Sequence, residues 1–246
     1  MKDCKEAILS ESYRDFMFNS RWMQLLDGLD PRSWCRKEAG QMYWNVYIQE
    51  EEADRLPIND IPYYSIPKCF TLLDLGPLNA AGITPVQSYP SLELKGQGIL
   101  MGFLDTGLDY RNPVFRNLDG STRILGIWDQ TIQDGNPEEH FGYGSVYTRE
   151  DINRALQSED PLAFVPSQDT NGHGTFTASV AAGSANVENQ FLGAAPESMI
   201  AMVKLKGAKQ YLRDYYFIKE GAEAFQENDM LAGLFYLNSL AKKYEM

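Results

Sequence analysis

From Ile99 to Leu104 the chain runs Ile-Leu-Met-Gly-Phe-Leu without a polar side chain, then breaks at Asp105-Thr106-Gly107. An unbroken apolar run of this length is what a strand needs when both its faces are covered, and such burial is the rule in parallel sheets flanked by helices. The run therefore predicts an α/β fold. Open parallel sheets place their ligand-binding groups just outside the carboxyl ends of the strands, which is where Asp105 falls.

A second stretch, Asp169-Thr170-Asn171-Gly172-His173-Gly174-Thr175, puts a glycine-flanked histidine at the head of a small-residue segment. Thr175 to Ala182 predicts a helix able to lie close against a sheet, with Gly183 as its C-terminal cap. An Asp held beside a His is what a hydroxyl nucleophile requires, because the carboxylate fixes the imidazole tautomer and stabilises the imidazolium. The helix N-terminus at His173 would favour the neutral base. No Gly-Thr-Ser and no Gly-x-Ser-x-Gly occurs among the 246 residues. Ser184 lies eleven residues beyond His173, about 16 Å along a helix at about 1.5 Å per residue, and reads as a helix-end residue.

Asp105-Thr106-Gly107 followed by Asp109, then Asn171-Gly172-His173-Gly174-Thr175, then Gly193-Ala194-Ala195-Pro196 leading into a strand, resemble in order and content the subtilisin-like serine peptidases, or subtilases. The resemblance covers residues 90 to 246. It implies a subtilisin-like parallel sheet with flanking helices, incomplete in this chain and preceded by a small α/β N-terminal region. It also implies that Asp105 is the orienting acid, His173 the general base and a protein or peptide the substrate. The family's oxyanion-hole Asn and nucleophilic Ser have no counterpart here, and no substrate-binding residue can be assigned. The function implied is serine-type endopeptidase activity, with this chain inactive alone; the alternative is a non-catalytic relative acting as a binding or regulatory protein. Asp119 to Gln130, Tyr147 to Ile152 and Ile66 to Asp74 further resemble the subtilases of anaerobic spore-forming bacteria, a group that includes the Csp spore-germination proteases. Asp-Thr-Gly is also the aspartic-peptidase signature, but those sites need a second copy or a homodimer and usually Ser or Ala after the Gly, whereas Leu108 stands here.

Further strands are expected at Ile124 to Trp128 and Met199 to Leu205, and a helix at Thr148 to Leu156 with Thr148 as cap and Asp151 at the third helical position. Met230, Leu234, Leu237 and Ala241 have the spacing of the buried stripe of a final helix starting near Asn228. Residues 3 to 27 read as a weakly amphipathic helix bearing Tyr13, Phe16, Met17 and Met23; Tyr43 to Gln49 alternates like a strand with one buried face, closed by Glu50 to Glu52. Six prolines from Pro57 to Pro90 predict an extended connector with a short helix near Phe70 to Leu75, and Asp134 to Tyr147 predicts a surface loop carrying a solvated His140. The organisation expected is a pro-segment-like or accessory region at 1–65, a connector at 66–90 and the N-terminal part of a catalytic domain at 91–246.

With 43% hydrophobic residues the chain can supply a core for one large or two small domains. A net charge of −12 argues against a nucleic-acid partner, which needs a concentrated basic face. Cys4, Cys35 and Cys69 are odd in number, widely spaced and lack any Cys-x-x-Cys, which reads as thiols in a reducing compartment. No apolar run is long enough for a membrane span and the N-terminus does not look like a secretory signal, so a cytoplasmic or spore-associated protein is expected. Calcium stabilises many subtilases, but Asp109, Asp129 and Asp134 lack calcium-loop spacing, so no metal or other cofactor is assigned. The missing strands predict an open sheet edge, marginal stability and self-association through that edge.

Overall fold

The computed structural model describes residues 4–40, 42–56, 61–70, 94–185 and 191–246. They form two compact units, each discontinuous in sequence: the described residues up to 70 with Pro137–Gly144 and Lys206–Phe235, and the described residues from 94 to Asn136 with Ser145–Leu205 and Tyr236–Met246. The connector's supposed helix near Phe70 to Leu75 lies, but for Phe70, outside the described residues.

The first unit is built on a three-stranded antiparallel sheet, β1 (Tyr13–Asn19), β2 (Trp34–Glu38) and β3 (Tyr43–Gln49), in the order β1-β3-β2. Helix α1 (Lys5–Leu9) precedes it and the single turn α2 (Glu50–Ala53) follows β3. The helix expected over residues 3–27 is thus a short helix, a strand and a 3-10 turn at Met23–Leu26. The reason lies in burial on both faces. Phe16 and Phe18 pack with Val46, Ile48 and Leu26 on one side of the sheet, while Tyr13, Asp15 and Met17 are buried on the other. β3 likewise buries Asn45 and Tyr47 as well as Val46 and Ile48, so its single buried face is corrected to two.

That second face is polar and built around Asp15. Lys209 Nζ donates to Asp15 Oδ1 at 2.5 Å and to the Ala7 carbonyl at 3.0 Å, while the side-chain amides of Gln226 and Asn228 donate to Asp15 Oδ2. Beside it, Lys206 pairs with Asp229 at 2.6 Å, and the Tyr143 hydroxyl donates to Asp229. Burial, only partly offset by Lys206, holds the Asp229 carboxyl above its usual range. Lys209 precedes α6 (Gln210–Tyr215), and β9 (Phe225–Gln226) pairs with β4 (Cys69–Phe70).

Two further expectations fail in this unit. Cys4 and Cys35 form a disulfide with Cα atoms 5.7 Å apart, joining α1 to β2; sequence spacing concealed it because the strand brings Cys35 back beside the helix. Cys69 stays a thiol, and burial pushes it up to about 11. The segment taken for a surface loop buries Glu138, Phe141 and Tyr143, turned inward by Gly142 and Gly144 at positive φ, and its end is a strand. His140 is no solvated residue: its ring stacks on Phe235 at 4.5 Å and its Nε2 lies 2.8 Å from the Glu38 carbonyl oxygen.

The second unit has a four-stranded sheet in the order β5-β8-β6-β7, from β5 (Leu100–Asp105), β6 (Ile124–Asp129), β7 (Ser145–Thr148) and β8 (Met199–Lys204). β5, β8 and β6 are parallel, β7 is antiparallel, and Asp105 pairs in register with Lys204. This is the mixed α/β sheet the apolar runs predict. Helix α3 (Arg149–Leu156) carries the expected capping box between Thr148 and Asp151 and is followed by the turn α4 (Pro161–Phe164).

β5 itself is less covered than its sequence implies. Among the described residues it pairs only with β8, and only Phe103 and Asp105 of the strand are buried. The last helix, α7 (Glu227–Lys243), runs from one unit into the other. Its inward residues are Asn228, Asp229, Ala232 and Tyr236, whereas Leu234 is 53% exposed, so the predicted stripe is rotated. Within the second unit its later turns lie tight on the sheet: a Cβ on Gly102 would sit 2.8 Å from Leu237, and one on Gly126 2.5 Å from the Tyr236 hydroxyl.

Candidate active site

Asp105 ends β5, and His173 is the first residue of α5 (His173–Ala182). What brings them together is the absence of side chain between helix and strand. Gly174, Ala178 and Ala182 form the buried edge of α5, and a Cβ on Gly174 would stand 2.2 Å from the Gly107 carbonyl oxygen and 3.1 Å from the Asp105 Cβ. Gly107 reaches this position at φ +124°, in a region that L side chains rarely adopt. Gly174→Ala should therefore cost about 1–3 kcal/mol of stability through forced displacement, although alanine is by about 1 kcal/mol the better helix former. A thermal melt no lower than wild type would refute this packing account.

His173 Nδ1 lies 2.8 Å from Asp105 Oδ1 and 3.1 Å from Oδ2, across 68 residues of sequence. An ionised carboxylate only accepts, so the proton sits on Nδ1 and the Nε2 lone pair is the one left to act as a base. The Asp105 side chain is 9% exposed and that of His173 21%, so the carboxylate is sheltered and the imidazole is reached from solvent. Thr177, one turn further along α5, places its hydroxyl oxygen 3.5 Å from the same Nδ1.

Residues that sequence reasoning passed over hold this pair. The Thr106 amide donates to Asp105 Oδ1 at 2.7 Å; the Thr106 hydroxyl donates to Asp169 at 2.9 Å and accepts from the Gly174 amide at 3.0 Å. Asp169 accepts five hydrogen bonds: from the Thr106 hydroxyl, from the amides of Asn171, Gly172 and Thr175, and from the Thr175 hydroxyl. Burial raises the Asp169 carboxyl, but the Thr175 hydroxyl and these amides outweigh it and hold the carboxyl below its usual 3.8. The only signal in the sequence was an acidic side chain in the turn that leads into a helix, three residues before its Gly172 cap.

At the far end of α5, Gly183 is the C-cap with an extended backbone, φ −66° and ψ 134°. It is glycine for space, because a Cβ there would meet the Ser179 carbonyl oxygen at 2.6 Å. Buried Arg123 donates to the carbonyls of Ala182, Val114 and Ser198, tying that helix end to its surroundings. Ser184 follows the cap and donates to the Arg116 carbonyl, a helix-end role.

The three aspartates weighed for calcium do not converge. Asp109 binds Arg111, Asp129 accepts from Thr131 and Ser167, and Asp134 is exposed. Among the described residues no three His, Cys, Asp or Glu side chains gather where a metal ion could sit, so this arrangement does not fit a calcium site. Nor, among the described residues, is any helix long and apolar enough to cross a membrane.

The family model described as "Subtilase family" matches residues 96–231. The subtilisin-like protease SBT2.2 of Arabidopsis thaliana is 33% identical over 106 residues, covering 39% of this chain and 12% of that protein, and SBT2.1 of the same plant is 31% identical over 136 residues, covering 46% and 15%. The solved structure of the Clostridium perfringens CspB protease superposes with a TM-score of 0.53 at 35% identity, over 66% of this chain and 29% of that one. The chain thus spans less than a third of the length of each of these relatives. With the family model matching more than half of its residues, Asp105 and His173 included, the chain belongs to the subtilase family.

Proposed function

We propose that Asp105 and His173 are the orienting acid and general base of a serine-type endopeptidase whose nucleophilic serine is contributed from outside these 246 residues. The observation that carries this reading is the 2.8 Å contact between His173 Nδ1 and Asp105 at the carboxyl end of a parallel strand. His173 Nε2 would take the proton from the serine hydroxyl as its oxygen attacks the peptide carbonyl carbon. It would then return that proton to the leaving amine, so that an acyl-enzyme remains for water to hydrolyse. Asp105 would hold the Nδ1 proton and stabilise the imidazolium between those two transfers. Proteins or peptides are the substrate class.

A fluorophosphonate probe tests the reading, because it reacts only with a serine activated by such a base. The 246-residue chain alone should remain unlabelled. The protein carrying its serine segment should label, and His173→Ala should abolish that labelling. Labelling of the chain alone that disappears in His173→Ala would mean that a serine within it is the nucleophile. A full protein that never labels would favour a fold kept for binding.

A further inference from the structure

Asp169 is four residues from His173 and touches neither Asp105 nor the imidazole in any hydrogen bond described above, yet it sits where their two chain segments meet. One of its oxygens receives the hydroxyl of Thr106, the residue directly after the acid; both receive groups from Asn171 to Thr175, the turn that launches the base. The joint closes on itself, since the Thr106 hydroxyl accepts from the amide of Gly174 and the Thr175 hydroxyl accepts from the amide of Asp109. Strand end and helix start are thus cross-linked three times within one turn of the Asp105–His173 contact, with one carboxylate at the centre. A hydrogen bond between a side chain on a strand and one on a helix keeps its length and angle only if the two backbones keep theirs. Nothing in the Asp105–His173 pair itself fixes those backbones.

We infer that Asp169, acting through Thr106, is a positioning residue that sets the alignment of His173 Nδ1 on Asp105 and thereby fixes the tautomer of the base. The inference rests on the reading of Asp105 and His173 given above, and it assigns Asp169 no contact with substrate.

The chain has only two histidines, His140 and His173, so 15N-histidine labelling gives two imidazoles, and His173→Gln assigns them. The readouts are the fraction of the Nδ1–H tautomer from the ring 15N shifts and the solvent exchange of the Nδ1 proton, neither of which follows from helix stability alone. Thr106→Val cuts the link to the strand but leaves the four bonds from Asn171, Gly172 and Thr175 to Asp169 in place. It should speed solvent exchange of the His173 Nδ1 proton and move population from the Nδ1–H to the Nε2–H tautomer; Asp169→Asn should do the same. Thr106→Ser, which keeps the hydroxyl, should restore the wild-type spectrum.

Should Asp169→Asn fail to fold, the Thr106→Val and Thr106→Ser pair decides alone. If Asp105→Asn abolishes the Nδ1–H signal while Thr106→Val and Asp169→Asn leave it at wild type, the positioning role is overturned and the acid–base pair stands. If Asp105→Asn also leaves His173 unchanged, the pair itself is refuted, and the inference with it.

Discussion

If the proposed reading holds, Asp105→Asn in a protein that supplies the serine should lower kcat by about 10⁴-fold with little change in KM, the size of effect found when the orienting acid of a Ser-His-Asp triad loses its charge. The cause is the tautomer. With a carboxylate 2.8 Å away, Nδ1 must donate, which leaves Nε2 to accept. An asparagine presents either an oxygen or an NH₂ to the same nitrogen, and in the NH₂ orientation the ring must accept on Nδ1 and carry its proton on Nε2, where a base is useless. Asn also removes the negative charge that stabilises the imidazolium between the two proton transfers. Steady-state kinetics on a peptide substrate reads both parameters; a loss below about tenfold would place the orienting acid elsewhere.

Lys209→Met should destabilise the first unit by about 3–5 kcal/mol, the range for removing one partner of a buried ion pair. Both residues are buried, Asp15 at 1% and Lys209 at 2% exposure, so water cannot replace the lost ammonium. Gln226 and Asn228 would remain as neutral donors to one Asp15 oxygen, while the other would lose its cation. Adding Asp15→Leu should recover only part of the loss, because one N–H of Gln226 and one of Asn228 would then lose their acceptor, although Gln226 keeps its bond to Asn228 Oδ1. Denaturant unfolding followed by fluorescence measures this well, since Trp22, Trp34 and Trp44 pack around the core of this unit. A change under about 1 kcal/mol would mean the pair is hydrated in solution.

The sequence was legible where one physical rule acted alone. Ile124 to Trp128 and Met199 to Leu205 are apolar because their strands are buried, and Ile99 to Leu104 supplies the neighbouring strand of the same sheet although only Phe103 of that run is buried. Asp105 and His173 were singled out because a paired acid and base need those residue types, and the structure brings the two side chains to 2.8 Å. Reading failed where a polar group is buried with a partner distant in sequence. Tyr13, Phe16 and Met17 have helical spacing, but Asp15 between them lies under Lys209, and a strand with both faces covered loses its alternation. The stripe on the last helix was misplaced for the same reason: Asn228 and Asp229, which counted as polar, are on its inward side. The Cys4–Cys35 disulfide depends on the return of β2 beside α1 and leaves no mark in spacing. Asp169 left no mark in the sequence because its partner Thr106 lies 63 residues back.

The distance between Asp15 and Lys209, 194 residues of chain, also bears on the order in which the protein is made. A ribosome adding about 5–20 residues per second takes roughly 10–40 s to travel from the first to the second. Throughout that interval the sheet of β1 to β3 has been synthesised, but one of its faces holds an aspartate with neither the lysine nor the two amides that meet it in the folded protein. Its final form must await the arrival of residues 206–235, so this sheet is made well before it can take its native form.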